Sequence, residues 1–145
     1  MTEGKEIGIC VQNAEHRKQI ERMLADKFIC QLIGINLLEV GVGHAKAELV
    51  IKPEHMNGVG ICQGGVLFSL ADYALAAASN YNEDSVLSLD VSISYCRPVT
   101  SGRIVAEAKE TCRTRTTALG DAIIRDEQGR VICMARSRGF VKQAR

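Results

Sequence analysis

Apolar residues change their spacing repeatedly along this chain, and each change marks an element. Asn13 is placed to cap a first helix, Glu15 stands in its opening turn, and Ile20, Met23, Leu24 and Phe28 recur at the spacing of one apolar face. From Ile33 to Ile51 the period becomes two: Ala45, Ala47, Leu49 and Ile51 alternate with His44, Lys46, Glu48 and Val50, after a Gly41-Val42-Gly43 turn. That pattern predicts a β-hairpin, closed by Lys52-Pro53-Glu54 and followed by a loop through Gly58 and Gly60. Residues 64–80 then read as one helix, apolar on nearly every side and therefore expected to be buried all round. Four further strands follow, Val86 to Cys96, Ile104 to Arg113, Thr117 to Arg125 and Val131 to Val141, the last after an Asp126-Glu127-Gln128-Gly129 turn. The expected class is α+β: an antiparallel sheet of five to six strands wrapped around a central helix, with an N-terminal helix. Residues 1–12 are expected to form a flexible arm and 13–145 a single domain.

Composition narrows the chemistry. With 145 residues the chain has room for one core, and 18 basic against 17 acidic residues leave a formal net charge of +1. Nucleic acid is not an expected partner: there is no basic excess, and aromatic residues make up only 4% of the chain. The acidic N-terminus and the lack of a long apolar run give no signal peptide or membrane anchor, so a cytoplasmic protein is expected. Cysteines at 10, 30, 62, 96, 112 and 133 form no C-x-x-C pair and are read as reduced, mostly buried thiols. His16, His44 and His55 are equally scattered, so no metal site is expected.

The strongest chemical signal is a single charge. Between His55 and Glu83 the only charged residue is Asp72, in the middle of the apolar helix and too deep in it for a capping role. Burying a carboxylate costs several kcal/mol unless it is paired, so either Ser69, Tyr73 or a strand backbone satisfies it or it performs chemistry. Gly64 and Gly65 open the same helix. The first N–H groups of a helix have no internal acceptor and can hold an anion or a developing oxyanion, and glycine lets a carbonyl approach them; a tight loop-to-helix junction is the plainer reading. At about 1.5 Å rise per residue, Gly64 and Asp72 stand roughly 12 Å apart along the helix. They can serve one small reacting group only if the helix faces an antiparallel copy of itself across a two-fold axis.

The run Asn57-Gly58-x-Gly60-Ile61-Cys62-Gln63-Gly64-Gly65 through Asp72 resembles the signature of hotdog-fold acyl-CoA thioesterases of the phenylacetate-degradation (PaaI-like) type. In that signature an Asn or Gln precedes His-Gly-Gly, and an acid lies in the central helix. Val86 to Pro98 resembles the strand that follows, which commonly ends in Arg-Pro. The resemblance runs from about residue 14 to residue 141. It implies an acyl-CoA substrate, no cofactor and a homodimer, with a dimer of dimers as the expected assembly. It further implies that the Gly64 N–H and the Asn57 side chain polarise the thioester carbonyl. Asp72 of the other subunit would act as base on water or as nucleophile, and Ser88 would hold the water or the carboxylate. Ser88 is expected to share a small polar face with Asp90, Ser92 and Ser94.

Gln63 stands where the family most often has His. It cannot shuttle a proton, so it is expected to shape the loop by hydrogen bonding and, with Gly65, to contact substrate. Cys62, beside this position, is expected to be a buried thiol and not a nucleophile. Basic stripes offer the coenzyme a landing place: Lys109, Arg113 and Arg115 on one strand face, with Thr116 beside them, or Arg136, Arg138 and Lys142 on another, against the plainer reading of a solvated face. A non-catalytic acyl-CoA sensor and, less favoured, an acyl-thioester hydratase or dehydratase using His55 are the competing readings.

Overall fold

A computed structural model describes Gly8, Ile9, Val11 and residues 13–144. Helix α1 (Ala14–Leu24) begins where predicted, with the Asn13 side chain accepting the His16 N–H at 2.8 Å. It stops at Leu24. Asp26 then caps a separate π-helical segment, Lys27–Ile33, by accepting the Ile29 N–H at 2.9 Å, and Gly34 ends it at φ 91°, a left-handed conformation that favours glycine. The break shifts the helical phase, so Phe28 is 56% exposed and is not part of the face that buries Ile20.

Strands β2 (Asn36–Gly41) and β3 (His44–Val50) form the expected hairpin. Ala45, Ala47 and Leu49 are fully buried, and Val50 on the other face is exposed. Helix α2 (Gly64–Ser79) follows, then β4 (Ser85–Tyr95), β5 (Arg103–Arg113), β6 (Thr117–Arg125) and β7 (Val131–Lys142), each within one residue of its predicted ends. Strands β2 to β7 pair antiparallel in the order β2-β3-β5-β6-β7-β4, and α2 packs against β3, β5 and β6. A two-residue strand, β1 (Gly8–Ile9), adds a parallel partner beside Glu39 and Val40. It lies within the segment expected to be an arm, most of which is outside the described residues. No helix is long and apolar enough to cross a membrane among the described residues.

Two bulges alter which side chains share a face. In β4 the pairing steps from Ser88–Gly139 to Asp90–Arg138, leaving Leu89 extra; in β5 it steps from Glu110–Gly120 to Cys112–Leu119, leaving Thr111 extra. One extra residue reverses the alternation beyond it. Helix α2 also differs from expectation, because it is not buried all round. Leu67, Leu70, Ala71, Ala74 and Leu75 face the sheet, whereas Gly65, Phe68, Ser69, Asp72 and Ala76 form a partly open stripe.

Candidate active site

The start of α2 leaves backbone donors without acceptors among the described residues. Gln63 precedes it, its N–H donating to the His55 carbonyl at 2.7 Å and its own carbonyl accepting from Val66 and Leu67. The N–H groups of Gly64 and Gly65 therefore find no acceptor among the described residues. Asn57 closes the preceding loop: its Oδ1 accepts the Val59 N–H at 3.0 Å and the Ile61 N–H at 3.2 Å. With the oxygen committed, Nδ2 is left as a donor with no partner among the described residues. Asn57 and Gly64 together line a hollow of about 400 Å³ whose remaining walls include Ile61, Leu67, Tyr95 and Pro98.

Asp72 lies on the open stripe of the same helix and lines a different hollow, of about 330 Å³. The candidates to satisfy it are otherwise engaged: the Ser69 hydroxyl donates to the Gly65 carbonyl at 2.8 Å, and the Tyr73 hydroxyl to the Met23 carbonyl at 3.0 Å. No hydrogen bond or ion pair reaches the Asp72 carboxylate among the described residues. Partial burial without a partner raises its pKa above the ordinary aspartate value. One chain thus presents the donors in one hollow and the carboxylate in another.

Ser88 faces α2, not the polar strand face. The Leu89 bulge turns it toward Ala76 and Ser79, while Ser92 and Ser94 line a hollow on the opposite side with Asp121 and Arg136. Ser88 and Asp72 consequently flank Ala76, which borders both of their hollows, although no hydrogen bond joins them. The Gln63 side chain is exposed and caps nothing. The loop-shaping expected of it falls to His55, whose Nδ1 accepts the Lys52 N–H at 2.9 Å, so that Nε2 carries the proton and donates to the Ile33 carbonyl at 2.8 Å. Both nitrogens of His55 are used, which removes the residue a hydratase would need.

Arg113 is a correction. The Thr111 bulge turns it inward, away from the face that carries Lys109. There its guanidinium donates to the Ser79 carbonyl at 2.7 Å, pairs with Glu110 at 3.1 Å and lies 4.8 Å over the Tyr81 ring. It closes the last turn of α2 and is not free for a phosphate. Arg115 and Thr116 are exposed on the β5–β6 turn and border neither hollow. Arg136 and Arg138 are paired with Asp121 and Asp90 on the outer face of the sheet. The cysteines are less buried than expected: Cys62 and Cys133 are buried, Cys96 and Cys112 exposed. Burial pushes the Cys62 thiol up to about 11. Tyr95, which no local pattern singles out, lines the same hollow as Asn57 and Gly64. Its hydroxyl donates to the Gly64 carbonyl at 3.0 Å, and its ring lies 3.1 Å from where a Cβ on Gly64 would stand, so a larger residue there would push the ring aside by a few tenths of an ångström.

A long helix embraced by an antiparallel sheet defines a hotdog-fold protein, and here the helix carries free backbone donors at its start and an unpaired carboxylate along its length, among the described residues. The chain belongs to the thioesterase superfamily, whose family model matches residues 59–133, and it is a thioester hydrolase of the PaaI-like type. A protein of Archaeoglobus fulgidus carrying the name of an esterase is 35% identical over 128 residues, covering 85% of this chain and 83% of that one. The acyl-coenzyme A thioesterase PaaI of Escherichia coli is 28% identical over 107 residues, 73% of this chain and 76% of that one. The structure of the E. coli PaaI protein superimposes with a TM-score of 0.83 over 90% of this chain and 95% of that one at 23% identity, which shows the shared fold.

Proposed function

We propose that the protein hydrolyses acyl-CoA thioesters to the free acid and CoA at sites shared between two copies of the chain. The observation that carries this reading is the separation of two incomplete halves along one helix: unused donors at Gly64, Gly65 and Asn57, and an unpartnered Asp72 roughly 12 Å away at helical rise. Antiparallel apposition of two α2 stripes brings the Gly64 end of one copy to Asp72 of the other, twice per dimer. Strand β4 ends the sheet beside this stripe, so its free edge can pair with its own copy and hold the two helices together.

In such a site the Gly64 N–H and Asn57 Nδ2 hold the thioester oxygen as it gains negative charge in the tetrahedral intermediate. Asp72 of the other copy removes a proton from the attacking water, or attacks the carbonyl itself to form an anhydride that water then opens. CoA leaves as the thiolate and is protonated from solvent. Ser88, beside Ala76, lies where it can orient the water or the carboxylate. A thioesterase assay over aliphatic and aromatic acyl-CoAs, with Asp72→Asn as control, tests the activity. Mixing two inactive chains tests the sharing of sites. Asp72→Asn combined with Asn57→Asp regenerates one intact site per mixed dimer and about a quarter of wild-type activity after random exchange. No recovery in verified mixed dimers would place both halves in one chain and sink the shared-site reading.

A further inference from the structure

Between Ser88 and the last turn of α2 lies a small hollow of about 10 Å³, space for one water. Its polar side chains are Ser79 and Asn80 at the end of α2, Ser88 on β4 and Ser137 on β7. Asn80 is fully engaged: Oδ1 accepts the Val86 N–H at 2.9 Å, and Nδ2 donates to the Ala76 carbonyl at 2.9 Å. The Ser79 hydroxyl donates to the Leu75 carbonyl at 3.0 Å, which leaves its oxygen able to accept. The hydroxyls of Ser88 and Ser137 make no hydrogen bond among the described residues. Ser88 is exposed beyond the hollow, but Ser137 is only 8% exposed, on the face of β7 that carries Cys133 and Ala135 into the core. A buried hydroxyl without a partner destabilises a fold, so its retention calls for one. The chain also keeps room beside it. Ser137 pairs in register with Gly120, where a Cβ would stand 3.3 Å from the Ser137 Oγ, and Ser88 pairs with Gly139, which leaves the wall between the two serines without a side chain.

We propose that this hollow binds one water between Ser137 and Ser88, and that Ser137, acting through it, is a positioning residue that fixes where the Ser88 hydroxyl directs its proton. The inference rests on the thioesterase reading above and on the place of Ser88 in it. The water accepts the Ser137 hydroxyl proton and donates its own two protons to the oxygens of Ser88 and Ser79. That makes three hydrogen bonds, the usual number for a buried water. Ser88, accepting on the hollow side, then turns its own proton outward to the open stripe of α2, where Asp72 stands across Ala76. Without the water the hydroxyl rotates freely, and only a fraction of molecules present the proton to the carboxylate at any moment. The bound water is a fixture and not the nucleophile.

A double-mutant cycle on the full-length protein, with one acyl-CoA that it hydrolyses, tests the assignment. Ser137→Ala should lower kcat about fivefold with KM unchanged, the size expected for one lost hydrogen bond. Ser88→Ala should lower kcat at least as much, and adding Ser137→Ala to it should lower kcat no further, because Ser137 acts only through Ser88. Ser137→Cys keeps a side chain of similar length with only a weak donor and should match Ser137→Ala. Melting of each variant checks that it folds; a serine that only supports the core would shift melting and leave kcat per folded molecule alone. A crystal structure of the unaltered protein should show a water within about 3 Å of the Oγ atoms of Ser88 and Ser137. Unchanged kcat in both Ser137 variants, an equal further loss on top of Ser88→Ala, or no water at that place would overturn the role of Ser137 while leaving the thioesterase reading standing. No hydrolysis of any acyl-CoA by the unaltered protein would overturn both.

Discussion

The two ends of α2 treat their spare backbone groups in opposite ways. At the C-terminal end, Asn80 N–H and Nδ2 both donate to the Ala76 carbonyl, at 3.1 and 2.9 Å, and Arg113 donates to the Ser79 carbonyl. At the N-terminal end, the Gly64 and Gly65 N–H groups are left bare beside a hollow. Every helix has orphan groups at both ends, and a folded chain ordinarily satisfies them. One closed end and one open end on the same helix separate a capped terminus from one whose donors remain available. The buried guanidinium belongs to the first, and the missing side chains at 64 and 65 belong to the second.

Substitutions along this axis should therefore divide into losses of turnover and losses of stability. The largest effect is expected at Asp72. Asp72→Asn should lower kcat by about 10³-fold with little change in KM, within the range for removing a positioned base. Because burial raises the Asp72 pKa, the carboxylate takes up its proton at a pH where a solvated aspartate is still ionised. The acid limb of the kcat profile should accordingly lie above the ordinary aspartate value, with activity lost as pH falls through it. An acid limb at the value of a free aspartate would remove Asp72 as the titrating group.

Asn57→Asp should follow, at about 10²-fold in kcat. It keeps the oxygen that accepts from Val59 and Ile61 but replaces the Nδ2 donor with an anion facing the developing oxyanion. Melting measured in parallel should show the loop intact. At the closed end the expectation reverses. Arg113→Met should cost about 3 kcal/mol of stability by leaving the Glu110 carboxylate, 6% exposed, with the Tyr81 hydroxyl but no cation. Per folded molecule, kcat/KM for an acyl-CoA should be unchanged; a raised KM would return Arg113 to coenzyme binding. The smallest effect is expected from Cys62→Ala, within about twofold in turnover, because a thiol pushed up to about 11 is not an available nucleophile near neutral pH.

What could be read in advance differs between helix and strands for a physical reason. Asp72 stood out because it is one charge in an apolar run, and Gly64 because adjacent glycines opened that run; both signals are local. Strand limits were equally legible, since the period-two pattern and its turn residues are local too. The faces of β4 and β5 were not. Counting in twos through Leu89 and Thr111 groups Ser88 with Ser92 and Arg113 with Lys109, but the extra residues invert the count. The phase break after Leu24 misled in the same way and put Phe28 on a buried face that it does not share. Tyr95 escaped notice because its contact with Gly64 joins residues 31 positions apart.

The sequence by itself determined the order and limits of the main elements, the central helix, and the two candidate positions on it. Local spacing, capping and charge suffice for those. Only the tertiary structure decided which side chains remain available to react. It engaged both nitrogens of His55 and two of the three guanidinium nitrogens of Arg113 in internal hydrogen bonds, turned Ser88 toward the helix, and left Asn57 Nδ2, the Gly64 N–H and the Asp72 carboxylate without partners among the described residues. Availability is set by what each polar atom finds within about 3 Å after folding, and those neighbours come from distant parts of the chain.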